Sequence, residues 1–261
     1  MRTSTLRMVV LSKKLWTPAQ LTTVLWLDAA DTSTITLNGT TASKWRDKSG
    51  NDNHATQATP ANQPTYQVGQ NGLNILTFNG SNWLAVPNTV NPSGASAVFA
   101  VCKPDHSQTF AVIISRAFNW GSWYLRSAST GTSADYSVGR SGIDQGLSSV
   151  TGLTNATNKI ITGVYNNINV SISVNEGSLS STAYTHNPTY NAGDATTIGA
   201  FRNTNDTTAS LFRGDMYEIT VIHSAPSQDT VHRMQGHYAH KWGLTSGLAA
   251  NHPYKTSPPY V

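Results

Sequence analysis

Ile168-Asn169-Val170-Ser171-Ile172-Ser173-Val174 carries an apolar residue at every even position and a polar one at every odd position. A strand with one buried and one wet face requires that period of two. Asn166-Asn167, just before it, suits a tight hairpin turn from a second run, Lys159–Tyr165. Similar short runs at 74–78, 97–103, 110–115, 122–126, 196–200 and 214–223 alternate with Gly, Asn and Pro turns. Strands at this spacing, with almost no helix between them, point to a β-sandwich or jelly roll.

Composition agrees. Hydrophobic residues make up 38% of the 261 residues and charged residues 11%, against a usual charged share of about 25%. Thr, Ser and Asn fill the deficit with about a third of the chain. The 7 Trp, 10 Tyr and 6 Phe argue against intrinsic disorder. Thr, Ser, Asn and the 20 Gly argue against an all-helical fold.

One helix is legible after the strands. Ser227 is its expected N-cap and Asp229 suits its first turn, while Val231, Met234, Tyr238 and Trp242 share one face. Gly243 ends it, and the tail to Val261 reads as extended along the surface. His237 and Lys241 are expected at the wet rim. The chain thus divides into a basic arm over 1–16, a sandwich over 17–226, and a helix with its tail over 227–261.

The net charge of +4 is concentrated in the arm: Arg2, Arg7, Lys13 and Lys14 precede any acidic residue. The remainder is nearly neutral, so no phosphate-binding stripe and no nucleic-acid partner is expected. The arm reads as a partner-binding anchor. The single Cys102 excludes an internal disulfide and reads as a buried small hydrophobe. No apolar stretch approaches membrane-span length, and no membrane partner is expected. Met8–Leu11 is too short for a signal-peptide core, so general secretory export is not indicated.

Several stretches resemble a known superfamily. They are Leu25-Trp26-Leu27-Asp28-Ala29-Ala30-Asp31, Trp45-Arg46-Asp47-Lys48-Ser49-Gly50-Asn51, Leu76-Thr77-Phe78-Asn79-Gly80 and Thr197-Ile198-Gly199. Phe212-Arg213-Gly214-Asp215-Met216-Tyr217-Glu218-Ile219 and Gly236-His237-Tyr238-Ala239-His240-Lys241-Trp242-Gly243-Leu244 follow, then His252-Pro253-Tyr254 and Pro258-Pro259. Their order is similar to the laminin-G-like, concanavalin A-like lectin/glucanase superfamily, in the versions found in virion proteins of tailed bacteriophages and in bacterial surface proteins. The resemblance implies an all-β fold, two antiparallel sheets in a jelly-roll sandwich, with the C-terminal α-helix against one end. Trp26, Trp45, Phe78, Trp83 and Trp242 belong to the family pattern and read as core.

Catalytic residues are not expected. The glucanase branch needs two carboxylates facing one sugar bond, yet the chain has only Glu176 and Glu218. Asp215 and Glu218, three apart on a strand, are expected on opposite faces. A calcium ion, which lectin-like relatives often hold, would draw on Asp28, Asp31 and Asp47, with Asn51 and Asp52 nearby. The competing reading of Asp47–Asn51 is a turn that bonds its own backbone. His232, His237 and His240 read as solvated helix residues rather than metal ligands. For sugar binding, Trp120, Asn119 and Tyr124 stand out, with Trp120 as an exposed platform and Trp123 and Leu125 on a shared buried face. Arg213-Gly214-Asp215 matches an integrin-binding tripeptide, but it falls where a core strand begins.

The expected function is a non-enzymatic structural protein on a tailed-phage virion, as a capsid decoration or a tail or adhesin subunit. Its partners would be other virion proteins bound through the arm, further copies of itself, and a host-surface glycan. The alternative is a carbohydrate-binding module of a bacterial surface or secreted protein.

Overall fold

The computed structural model describes residues 13–105, 109–116, 122–128, 131–153, 156–175, 179–191, 194–202 and 208–261. Lys159–Tyr165 and Asn169–Val174 form the expected hairpin, with Tyr165 opposite Val170. Asn167 sits at φ +68°, and Asn166 Oδ1 accepts from the Ile168 and Asn169 backbone N–H groups. Val170, Ile172 and Val174 enter the core as the alternation predicts, whereas Ile168 belongs to the turn and is exposed.

Two antiparallel sheets form the sandwich. The first runs Thr23–Asp28, Arg213–Ile222, Ser96–Pro104, Lys159–Tyr165, Asn169–Val174 and Ser180–Ala183. Asn74–Asn79 pairs with the beginning of Arg213–Ile222, and Thr65–Val68 lies beyond it. The second sheet runs Ala55–Thr56, Leu84–Val86, Thr196–Ile198, Val112–Arg116, Trp123–Ser127, Ser133–Arg140 and Asp144–Thr151. The hairpin of Ile35–Asn38 and Thr41–Trp45 joins at its edge through Ala55–Thr56. Between the sheets lie Leu25, Trp45, Phe78, Val98, Cys102, Trp123, Tyr136 and Ile161, all buried. Burial pushes the Cys102 thiol up to about 12, which keeps it protonated and unreactive. Gly163 has no side chain because a Cβ there would lie 2.6 Å from Tyr136 Cγ.

A second apolar layer covers the outer face of the first sheet. Phe99, Val101, Ile160 and Tyr217 meet Met234, Tyr238, Ala239 and Trp242 of the helix Gln228–Lys241. Ser227 accepts from the Thr230 N–H as its N-cap, and Gly243 ends the helix at φ +68°. The helix therefore lies across a sheet face, not against one end of the sandwich. Apolar side chains on both faces of Ser96–Pro104 require a cover on each side. The tail closes over the helix at Gly236, where a Cβ would come within 2.5 Å of Tyr254. Trp83, expected in the core, is half-buried with the Arg202 guanidinium 4.1 Å from its ring.

His237 and Lys241 are not at the wet rim. Lys241 Nζ donates to Glu218 Oε2 at 2.6 Å and Asp28 Oδ1 at 2.5 Å. Trp26 and Trp242 donate their indole N–H groups to the two Glu218 oxygens at 2.7 and 3.0 Å. His237 Nε2 stands 3.8 Å from the same carboxylate. Lys48 bridges Asp28 and Asp31 at 3.0 and 2.8 Å. Glu218 is fully buried, and burial works against its charge, but Lys241 and His237 hold the carboxyl well below the ordinary 4.5.

A β-bulge sets this geometry. The register of Arg213–Ile222 against Ser96–Pro104 shifts between Met216 and Glu218. Met216 and Ile219 point into the sandwich, while Tyr217 packs in the helix-side layer and Glu218 bonds the helix residues. Asp215, bonded by Thr77 Oγ1 at 2.7 Å, shares that side. The expectation that Asp215 and Glu218 face apart is thus overturned, because the extra residue breaks the period of two.

The first-numbered described residues join the tail. Leu15 and Tyr260 form an antiparallel bridge, Trp16 N–H donates to Pro259 O, and Val261 N–H donates to Lys14 O, both at 2.9 Å. Trp16 is buried beside His237, and Lys13 Nζ lies 5.6 Å from the Tyr260 ring centroid. Residues 13–16 are therefore packed onto the domain, although they were read as part of the arm. Arg2 and Arg7 lie outside the described residues.

Two outcomes follow for stability. Trp242, stacked on Tyr217 at 5.0 Å, should cost about 3–5 kcal/mol when replaced by Ala in chemical denaturation. Lys241→Met should cost a comparable amount, about 3–5 kcal/mol, because it strands a buried carboxylate. The second outcome concerns pH. A carboxyl held below its ordinary value stabilises the fold fully above that value and loses the contribution as pH falls toward its folded pKa. Stability measured downward from neutral pH through 4.5 should therefore fall, and the slope should be shallower in Glu218→Gln. Equal slopes in the two proteins would remove Glu218 as the cause.

Candidate functional site

Of the residues expected to hold calcium, Asp28 and Asp31 meet on Lys48, while Asp47 is turned to backbone N–H groups. Asp47 Oδ1 accepts from the Trp26 and Ser49 N–H groups at 2.8 and 2.9 Å. Its Oδ2 accepts from Ser49 Oγ and the Asn53 N–H at 2.5 and 3.0 Å. It is an Asx turn that also pins strand Thr23–Asp28. Asp28 and Asp31 face two ammonium groups instead of an open space. Asp31 is held below the ordinary carboxylate range, first by the hydrogen bond from Lys48. Among the described residues no group of three His, Cys, Asp or Glu side chains converges on a metal-sized space. His240 bonds Tyr254 O at 2.8 Å, and His232 packs edge-on against His252.

Glu218 is likewise sealed from any substrate. In the Arg213-Gly214-Asp215 tripeptide, Arg213 pairs with Asp105 at 3.0 Å and Asp215 bonds Thr77, so both charged groups are engaged within the fold.

The outer face of the second sheet has a different chemistry. Trp123 and Leu125 point inward, as the alternation predicts, which turns Tyr124 and Arg126 outward. Tyr124 meets Phe201 edge-to-face at 5.5 Å. The Arg126 guanidinium covers both Tyr124 and Phe110, 4.3 and 4.5 Å from their ring centroids. Asp135, directly opposite Arg126 in the register, accepts from it at 3.3 Å. Ser149, opposite Asp135 on the next strand, donates to the same carboxylate at 2.6 Å. A parallel row places Tyr124 beside Ser137, whose hydroxyl donates to Gln145 at 3.1 Å.

The result is a strip whose surface is Phe110 and Arg126, bordered by the Ser149 hydroxyl and the Gln145 amide, with Tyr124, Phe201, Asp135 and Ser137 buried beneath. Phe110 is 36% exposed and stands at φ +57°, a left-handed conformation uncommon for a bulky residue. Burial pushes the Tyr124 phenol up, against the pull of Arg126. The carboxylate here is neutralised by one cation and has no second acid beside it among the described residues. The strip suits binding of neutral hydroxylated ligands and lacks the two opposed carboxyls of glycoside hydrolysis.

Trp120 and Asn119 lie outside the described residues. Tyr124 is on the strip, but it is buried beneath Arg126 and is no exposed platform. Sequence reasoning missed Arg126, Phe110 and Phe201. The alternation that turned Trp123 inward already placed Arg126 outward. Phe110 and Phe201 come from other segments, and no local pattern ties them to this strand.

No protein-family model matches the chain, and no curated protein matches it in sequence. Solved structures do match. Domain 4 of AbnA, an extracellular arabinanase from Geobacillus stearothermophilus solved in complex with arabinotriose, superposes with a TM-score of 0.54 at 14% identity. The match covers 80% of this chain and 96% of that domain. The receptor-binding domain of botulinum neurotoxin mosaic serotype C/D gives 0.53 at 14% identity, covering 80% of this chain and 49% of that one. At these identities the likeness is one of fold: an all-β antiparallel sandwich of jelly-roll type.

Proposed function

We propose that this domain is a carbohydrate-binding module, with its binding surface on the outer face of the second sheet. The observation that carries the reading is the Arg126 guanidinium stacked on Tyr124 and Phe110 with its charge answered by Asp135. Sugar rings present apolar C–H faces and hydroxyl rims, and the exposed ring of Phe110 with Gln145 and Ser149 at the border complements both. The arabinanase domain supports the class, since a sandwich of this fold was solved with an oligosaccharide. The reading makes the domain a binding element without catalysis, and places it at a cell surface or outside the cell. Placement on a phage particle rests on the sequence resemblance alone.

Binding to immobilised neutral polysaccharides, arabinan among them, tests this reading. Phe110→Ala removes half-exposed stacking area, so its melting transition should stay near that of the parent. Its affinity should fall by about fivefold to tenfold. A parent that retains no polysaccharide, or a Phe110→Ala variant that binds as well as the parent, would refute the assignment to this face.

A further inference from the structure

Lys241 ends between two carboxylates. Its Nζ lies 2.5 Å from Asp28 Oδ1 and 2.6 Å from Glu218 Oε2. The Asp28 side chain is 7% exposed and that of Glu218 not at all. Lys48 Nζ donates to the other Asp28 oxygen, Oδ2, at 3.0 Å. The indole N–H groups of Trp26 and Trp242 pin the two Glu218 oxygens.

An ammonium needs only one carboxylate to neutralise it. Here a second one, fully buried, is held against the same nitrogen. A buried ion pair is a weak source of stability, because both charges have left water. The arrangement supplies instead every group that amide formation requires. Lys241 Nζ is a nucleophile whose target carbon, Asp28 Cγ, is one C–O bond beyond the oxygen it touches. Glu218 is a base on the same nitrogen. Lys48 faces the oxygen on which negative charge develops during attack.

We propose that Lys241 and Asp28 condense into an intramolecular isopeptide bond, with Glu218 as the proton carrier. The ammonium first passes one proton to Asp28 Oδ1, leaving a neutral amine and a neutral carboxylic acid. Nζ then attacks Cγ. The N–C bond forms as the C=O electron pair moves onto Oδ2, opposite the Lys48 ammonium. Glu218 takes a second proton from Nζ and delivers it to Oδ1. The Cγ–Oδ1 bond breaks, the pair on Oδ2 re-forms the carbonyl, and Oδ1 leaves as water along the partly exposed Lys241 side chain. The third proton remains as the amide N–H, which still donates to the restored Glu218 carboxylate. One carboxylate and one ammonium thus give one amide and one water, with no oxidant or cofactor. In open solution hydrolysis opposes this reaction. In a buried site the exclusion of solvent and the loss of two buried charges favour the amide.

The bond ties strand Thr23–Asp28 to the end of the helix across a sequence separation of 213 residues. Closing so long a loop restricts the unfolded chain, and a chain with one cysteine has no internal disulfide to do so. The inference does not rest on the Arg126 strip or on what binds there.

Mass spectrometry of the denatured intact protein tests the proposal. The parent should be lighter than its sequence mass by one water. Its proteolytic digest should contain a branched peptide that joins the Asp28 and Lys241 segments. Lys241→Arg keeps the cation and removes the nucleophilic amine, so it should fold and show its full sequence mass. Glu218→Gln, with its fold checked by circular dichroism, should retain the water as well. A parent at full sequence mass would overturn the proposal, whether or not Glu218→Gln folds. So would a water loss that persists in Lys241→Arg, one that maps to another pair of residues, or complete condensation in folded Glu218→Gln.

Discussion

One buried carboxylate organises the molecule. Glu218 has no access to water and reaches its charged state only because Lys241, Trp26 and Trp242 supply donors from two other segments. A buried charge lacking any of these would be costly, so the strand at Thr23–Asp28, the strand at Arg213–Ile222 and the end of the helix must arrive together. Three stretches far apart in the sequence meet here: Trp26 and Asp28 from the first strand, Glu218 from the last, and Lys241-Trp242 from the end of the helix.

That requirement makes the two outer faces of the sandwich unequal. Holding Lys241 over Glu218 lays the helix along the first sheet, where Phe99, Val101 and Tyr217 need cover. The tail then seals the helix at Gly236, and Lys14 to Trp16 close on the tail. The second sheet has no such cover among the described residues. Its outer rows hold Tyr124, Arg126, Asp135, Ser137 and Ser149, which satisfy one another across strands and leave Arg126 and Ser149 at the surface beside Phe110. The stabilising layer is thus on one side, and the other side has none among the described residues.

The strands with alternating Val and Ile were legible from the chain, because one wet and one buried face leaves a period of two. The long hairpin Ser133–Arg140 and Asp144–Thr151 was not. Ala134, Tyr136 and Val138 do alternate into its core face, but Ser, Gly and Asp surround them, and several of its other buried members, such as Ser137 and Ser148, are polar. The bulge at Tyr217 also escaped, since an inserted residue changes facing without changing composition. His237 and Lys241 were misjudged for a related reason. Lys241 stands three residues after Tyr238 and seven after Met234, at the edge of the apolar stripe, and its charge alone suggested the rim; a cation turns inward there when a carboxylate waits beneath the helix.

The sequence by itself determined the class of fold, the hairpin at Asn166-Asn167, the N-cap and C-terminus of the helix, and the inward turn of Trp123 and Leu125. All of these follow from local periodicity and backbone preference, which a short window contains. Only the tertiary structure decided which charges are buried, where the helix lies, and which aromatic rings meet Arg126. Those depend on residues far apart in the chain, such as Asp28 with Lys241 or Phe110 with Arg126, being brought within a few ångströms by the pairing of the sheets.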